Sequence, residues 1–362
     1  MLKDAVPLRE LARALVIQLR HHGDVLLASP VLGALRAHAP KLEIDALVYD
    51  DTAAMLEGHP ALGQLHCVGR RWRALPALER LSFEAGLYGA LRDRRYDLLV
   101  HLTEQPRGAW LARGLAPRYS VAPATPSRGR FWRGSFTHLF PTVRNGRRHR
   151  VEANLDALRR IGVQPSPEER AVHFAPGAPA QAKVDALLAE RGLAGAPFIH
   201  VHPASRWKFK CWTVERNGAL LDRLAAHHRV VISSAPDPEE RALVDAILRN
   251  TRAEVVDLAG QLSLKELGAL TARAKLFVGV DSMPMHLAAA LGTPCVALFG
   301  PSGEGEWAPW RTAHRIVAST RHPCRPCGND GCGGGKVSEC LTTLEVDEVY
   351  AAAARLLAPG GA

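Results

Sequence analysis

The chain alternates short, unbroken apolar runs with longer stretches of helical periodicity, the pattern of parallel strands buried on both faces and joined by helices. The first run, Ala14 to Arg20 (ALVIQLR), predicts a strand ending at the turn-forming HHGD. Val25 to Ala39 then has helical spacing, and Pro30 either kinks that helix or sits in its first turn behind Ser29 as cap. Leu42 to Tyr49 and Tyr96 to Leu102 predict two further strands. Periodicity lapses in the proline-rich segment from Val163 to Ala182, which predicts an interdomain linker. The alternation then resumes, with strands expected at Phe198 to His202, Arg229 to Ser234, Glu254 to Asp257, Lys275 to Val280 and Pro294 to Gly300. Helices are expected near 214–226, 239–248, 264–274 and 285–291. Such alternation means α/β, here as two Rossmann-like domains. We expect them at 1–172 and 173–345, with an amphipathic helix in 346–362 crossing back onto the first domain.

A chain of 362 residues is long enough for two cores, so the division is also expected from size. No apolar run approaches the roughly 18 residues of a membrane span, and residues 1–13 lack the apolar core of a signal peptide. A cytoplasmic location is therefore expected. The charge of +10 is unevenly spread: up to Ala175 there are 26 Lys and Arg against 17 Asp and Glu, a net of +9, which leaves +1 for the remainder. The excess sits in Arg70 to Arg73, Arg92 to Arg95, Arg128 to Arg133 and Arg144 to Arg150. A solvated basic face would account for it; its one-sidedness points instead to a polyanionic partner or an anionic membrane surface. No nucleic-acid-binding motif accompanies the arginines, and nucleic acid is not expected as a partner.

In doubly wound sheets ligands bind beyond the carboxyl ends of the strands. After the first strand, Gly23 allows close backbone approach and Asp24 brings a carboxylate, whose alternative role is a helix cap. GxGxxG is missing from that turn, which argues against a nicotinamide-dependent dehydrogenase. After Phe198 to His202 comes PASRWKFKCW, where Ser205, Arg206, Lys208 and Lys210 precede a helix and suit a phosphate or diphosphate, with solvated loop lysines as the alternative. After Lys275 to Val280 come Asp281, Ser282 and His286, ordinary capping residues when taken alone. Four of the seven cysteines, Cys324, Cys327, Cys332 and Cys340, fall in a C-x2-C-x4-C-x7-C pattern. Structural zinc, free or redox-active thiols and disulfides all remain open for them.

The ordered segments HHGDVLLASPVL, HPASRWKFKCW, SSAPDPEER, AGQLSLKELGAL and VGVDSMPMHLAAALGTPCVALFGP resemble the ADP-heptose:lipopolysaccharide heptosyltransferases of glycosyltransferase family 9. The resemblance runs from Ala14 to Leu357, and LRHHGDVLL and FKCW are most similar to the heptosyltransferase III branch. It implies a GT-B fold, two Rossmann-like domains facing a central cleft, with the acceptor on the first and ADP-heptose on the second. It further implies inverting transfer to the lipopolysaccharide inner core, with Asp24 as general base and Lys210, with Ser205, stabilising the departing diphosphate. His22, Gly23, Arg206, Asp281, Ser282, Met283 and His286 are the other implied substrate contacts. Met283 stands where many members have glycine. Glu239 or Asp237 would meet the ribose, and Leu262 and Leu264 the adenine. No DxD motif is present to hold a cation on the diphosphate, so no cofactor is expected for catalysis. A peripheral position on the cytoplasmic face of the inner membrane follows from the acceptor. The rival readings are heptosyltransferase I or II, a relative using another nucleotide sugar, and a non-catalytic nucleotide-sugar-binding protein.

Overall fold

In a computed structural model, which describes residues 4–143 and 147–358, the chain divides into two compact units, Met1–Ala175 and Pro176–Ala362. The division falls inside the proline-rich segment. Arg144 lies outside the described residues, as does the side chain of Arg73.

The first unit holds six parallel strands: β1 (Arg13–Ile17), β2 (Glu43–Tyr49), β3 (Leu65–Val68), β4 (Leu98–His101), β5 (Tyr119–Ala124) and β6 (His138–Pro141). Their order is β3-β2-β1-β4-β5-β6. The second holds β7 (Phe198–His202), β8 (Arg229–Ile232), β9 (Val256–Asp257), β10 (Leu276–Val280), β11 (Cys295–Phe299) and β12 (His314–Ala318), ordered β12-β11-β10-β7-β8-β9. Each sheet therefore reverses its strand order once, between β1 and β4 in the first unit and between β7 and β10 in the second. Such a reversal makes neighbouring loops diverge and opens a crevice at the carboxyl edge. The central strands are buried throughout, as their unbroken apolar sequence predicts.

Pro30 breaks the expected first helix in two, His22–Leu26 and Ser29–His38, because proline has no amide to donate and its ring crowds the preceding turn. Ser29 is not a cap; its hydroxyl accepts the His173 amide at 2.9 Å. The closing helix, Val346–Leu357, gives its apolar face to the second unit. Val349, Ala352 and Ala353 are buried in the core of the second unit with Leu220, Val278 and Leu298.

Two polar networks lock the strands that lead to the loops of interest. In the first unit Asp45, fully buried in β2, receives Arg94 Nε at 2.7 Å, Tyr96 OH at 2.7 Å and the Gln64 amide at 2.8 Å. Burial alone would raise this carboxyl, but hydrogen bonds from His66, Arg94, Tyr96 and Gln64 outweigh it and hold Asp45 far below the usual carboxylate range. In the second unit Ser233 Oγ bridges His200 Nε2 at 2.7 Å and His202 Nδ1 at 2.9 Å, and Thr271 Oγ1 meets His200 Nδ1 at 3.1 Å. Thr271 donates its own proton to the Leu267 carbonyl, so it accepts from His200 Nδ1. Ser233 then donates to His200 Nε2 and accepts from His202 Nδ1, a chain satisfied by two neutral rings. Burial lowers His200 to about 3, with help from His202, and lowers His202 to about 4.

Two expectations follow. Asp45→Asn should cost on the order of 1 to 3 kcal/mol of unfolding free energy, since it weakens the buried acceptor shared by Arg94, Tyr96 and the Gln64 amide while Arg94 keeps Glu43; urea titration would measure the loss. His200 and His202 have folded values below the unfolded value near 6.5, so the stability they contribute is present above that pH and declines as pH falls toward about 4. Melting temperature should fall across that window, and His200→Asn should flatten the slope whatever its effect on absolute stability. An unchanged slope would mean that the histidines do not titrate with unfolding.

Candidate active site

At the carboxyl end of β1 the chain passes through buried Gln18 and turns into the helix His22–Leu26. Asp24 lies inside this helix, whose N-cap is His21, so capping is not its role. The residue is only 8% exposed, yet its carboxylate has no hydrogen bond or ion pair among the described residues. Gln18 Nε2 reaches only its main-chain carbonyl, at 3.4 Å. A carboxylate without a protein partner, on a residue largely covered by its surroundings, stays available as an acceptor. His22 Nε2 lies 2.9 Å from the Asp51 carbonyl, and Gly23 is helical between His22 and Asp24. Arg70, from the first basic cluster, bonds Asp51 at 2.6 Å and the Arg20 carbonyl at 2.7 Å, with its guanidinium 4.0 Å from the centre of the Tyr49 ring.

A cavity of about 400 Å³ opens nearby, lined by Leu19, Tyr49, Gln105, Pro106, Arg107 and Trp110. These residues follow β1, end β2 and follow β4, so the cavity flanks the strand reversal of the first sheet. The sequence reading missed Gln105, Arg107 and Trp110. The signal that would have found them was the end of the predicted strand Tyr96 to Leu102.

The second unit brings its candidate residues together more tightly. β7 ends at His202, and the loop after it carries Ser205, Arg206, Lys208 and Lys210; β10, its neighbour, ends just before Asp281. Lys210 Nζ donates to Asp281 Oδ2 at 2.6 Å, a half-buried ammonium on a buried carboxylate that ties the two loops across the reversal. Ser205 Oγ accepts the Trp207 amide at 3.2 Å, leaving its own proton to give. Arg206 is exposed, its guanidinium 5.5 Å from the centre of the Trp207 ring. Lys208 pairs with Glu239 at 3.1 Å; both are exposed, so the pair is weak and both groups remain open to a ligand. Asp237 spends Oδ1 on the amides of Glu239 and Glu240, as cap of the helix Pro238–Arg249, which separates it from Glu239. Ser282 precedes the helix Met283–Ala290, where Met283 is half-buried and His286 buried. Leu262 is also buried, whereas Leu264, the first residue of the next helix, is half-buried.

The cysteines do not assemble as the zinc expectation required. Among the described residues no group of three or more His, Cys, Asp and Glu side chains is placed to hold a metal ion. Cys340 is buried on the helix Glu339–Thr342, whereas Cys324, Cys327 and Cys332 are exposed, and all four thiols are free. No described helix is long and apolar enough to cross a membrane.

Comparison with known proteins follows the same lines. The model of glycosyltransferase family 9 (heptosyltransferase) matches residues 85–337. The chain is 36% identical over 295 residues to lipopolysaccharide heptosyltransferase 3 of Escherichia coli, covering 81% of this chain and 84% of that one. A second such protein, from strain K12, is 33% identical over 81% of this chain and 83% of its own. Among solved structures, the family 9 glycosyl transferase of Veillonella parvula superposes with a TM-score of 0.82 at 22% identity, covering 98% of this chain and 99% of that one. ADP-heptose lipopolysaccharide heptosyltransferase II of E. coli gives 0.75 at 19%, covering 95% and 98%. These likenesses are to GT-B structures, in agreement with two parallel six-stranded sheets. The chain belongs to glycosyltransferase family 9, the heptosyltransferases.

Proposed function

We propose that this glycosyltransferase moves a heptose from ADP-heptose to the inner core of lipopolysaccharide, in the manner of heptosyltransferase III, by inverting displacement with Asp24 as general base. The observation that carries the chemistry is Asp24, a largely covered residue whose carboxylate is free of partners among the described residues, at the carboxyl end of β1. The choice of donor and acceptor is supported by the two relatives above 30% identity, both lipopolysaccharide heptosyltransferase 3. An E. coli heptosyltransferase determined with ADP-2-deoxy-2-fluoro heptose has the same fold, at a TM-score of 0.66.

In this reading Asp24 takes the proton of an acceptor hydroxyl as that oxygen bonds the anomeric carbon. The bond from that carbon to the diphosphate oxygen breaks, and ADP leaves. Lys210, Ser205 and Arg206 meet the negative charge growing on the diphosphate. Lys210 is held by Asp281 until then, so the ion pair keeps the ammonium at the crevice without burying an unpaired cation. Glu239 faces the ribose, Leu262 and Leu264 border the adenine, and Asp281, Ser282, Met283 and His286 lie along the donor. His22 and Gly23 hold the acceptor beside Asp24. The reaction so written routes no step through a metal.

The deciding assay is ADP release from ADP-heptose, with and without inner-core lipopolysaccharide lacking only the branching heptose. Release that depends on this acceptor is expected. Saturable donor binding without release would point to a different acceptor or to a binding protein, and no binding would exclude ADP-heptose. Asp24→Asn should lower kcat by about a hundredfold or more while donor affinity stays near that of the wild type; unchanged turnover would remove Asp24 as base. Lys210→Ala should weaken donor binding by about tenfold or more, because it removes a cation and also leaves the Asp281 carboxylate facing the diphosphate. Adding Asp281→Asn to that variant should recover part of the loss in a calorimetric titration.

A further inference from the structure

We propose that the first unit carries a docking ledge for an anionic lipid bilayer, formed by the helices Ala77–Asp93, Pro106–Leu115 and Arg130–Arg133. The proposal rests on the transferase reading only for the benefit of docking, since a lipid-linked acceptor is met at a bilayer.

Eight large apolar side chains are well exposed among the described residues, and five of them belong to these three helices. They are Leu78 (83%), Leu81 (64%), Phe83 (49%), Trp110 (65%) and Phe131 (41%). Scattered exposed hydrophobes need no explanation, but five on three helices that are joined to one another mark a surface used for interaction. Side-chain contacts join the three helices. Tyr88 OH donates to the Gly114 carbonyl at 2.7 Å and Glu84 Oε1 pairs with Arg107 Nη2 at 2.5 Å, joining the first helix to the second. The Trp110 ring lies 4.6 Å from Phe131, joining the second to the third, and Phe83 stacks on Trp72 at 5.3 Å.

The charge around this apolar strip selects the occupant. The three helices carry six arginines against three carboxylates, and one of the carboxylates, Glu84, is taken by Arg107. Arg80, Arg130 and Arg133 are exposed and form no ion pair among the described residues. Arg113 lies over Phe131, 4.7 Å from the ring centre. Leucine, phenylalanine and tryptophan edged by arginine suit the boundary between acyl chains and anionic headgroups. A second copy of the same surface would bring like charges together.

Full-length chain should be sedimented with vesicles of phosphatidylcholine alone and of phosphatidylcholine containing phosphatidylglycerol, with no saccharide present. The wild type is expected to partition about tenfold or more in favour of the anionic vesicles, and to be released by high salt. Leu78→Ser with Leu81→Ser should lower that partition about tenfold at an unchanged melting temperature. Arg130→Glu with Arg133→Glu should lower it and flatten its salt dependence, which tests the ledge even if the leucine variant folds poorly. A wild type indifferent to phosphatidylglycerol, or both variants binding as it does, would overturn the proposal. So would a leucine variant that dissociates a dimer and leaves vesicle binding intact, which would make the ledge a contact between copies. Transfer to a water-soluble, deacylated acceptor should be unchanged in both variants. Vesicle binding without such transfer by the wild type would count against the transferase reading alone.

Discussion

Parallel pairing across the strand reversal is the constraint on which the rest of this structure depends. A parallel sheet with helices on both faces leaves no room along its strands for charge that is not fully paired, as Asp45 is, so most polar chemistry is expelled to their ends. Where β7 lies against β10, the two following loops turn toward opposite faces and leave a crevice between them. Lys210 and Asp281 are 71 residues apart in sequence and meet at 2.6 Å only because those two strands are neighbours. β1 and β4 impose the same geometry on the first unit, with Asp24 beyond one strand and Gln105 and Arg107 beyond the other. The His200, Ser233 and His202 chain belongs to this scheme as well. It fills the two polar positions of β7 with rings that burial keeps neutral.

That constraint also explains how much was legible in the sequence. β1, β2, β4, β7, β8, β10 and β11 stand out because strands covered on both faces are written as unbroken apolar runs, and the candidate residues were found by looking just past them. β3, β5, β6 and β12 escaped for physical reasons; β6 is a four-residue edge strand that ends in Pro141. β3 has four residues, three of them only partly buried. β5 contains Pro123, which reads against a strand inside a sheet, and β12 is an edge strand with Arg315 within it. That the closing helix would give its apolar face to the second unit was not legible, because amphipathic periodicity says that one face is covered and not by what. Cysteine spacing left the choice among zinc, free thiols and disulfides open in a similar way. The interval from Cys332 to Cys340 is counted along the chain, whereas a helix start at Glu339 turns Cys340 into the core and leaves the other three thiols outside.

The charge asymmetry was legible as a sum, and the structure shows how the sum is distributed. Much of the arginine excess of the first unit is engaged internally. Arg94 serves Asp45 and Glu43, Arg13 serves Glu43, Arg148 and Arg159 serve Asp156, and Arg160 serves Asp4. These pairs stabilise or orient elements and leave little field beyond them. Charge without a carboxylate partner is what an external anion would meet, and Arg80, Arg130 and Arg133 supply it beside exposed Leu78, Leu81, Trp110 and Phe131.

The two halves of the proposed reaction set opposite demands, and the two units differ in the corresponding way. A nucleotide sugar is small and free in solution, so its site needs a few fixed groups around a crevice and no large field; the second unit is nearly neutral overall. An acceptor embedded in an anionic surface is presented in two dimensions, and capture there gains from broad positive charge and from apolar groups that enter the interface. Trp110 takes part in both aspects of the first unit, lining the cavity beside the β1 and β4 ends while packing at a tilt against Phe131 at the surface. Exposing five large hydrophobic side chains would be a liability for a protein that met only water. An arginine edge limits that liability by repelling further copies, and the same edge strengthens attachment to a negatively charged bilayer.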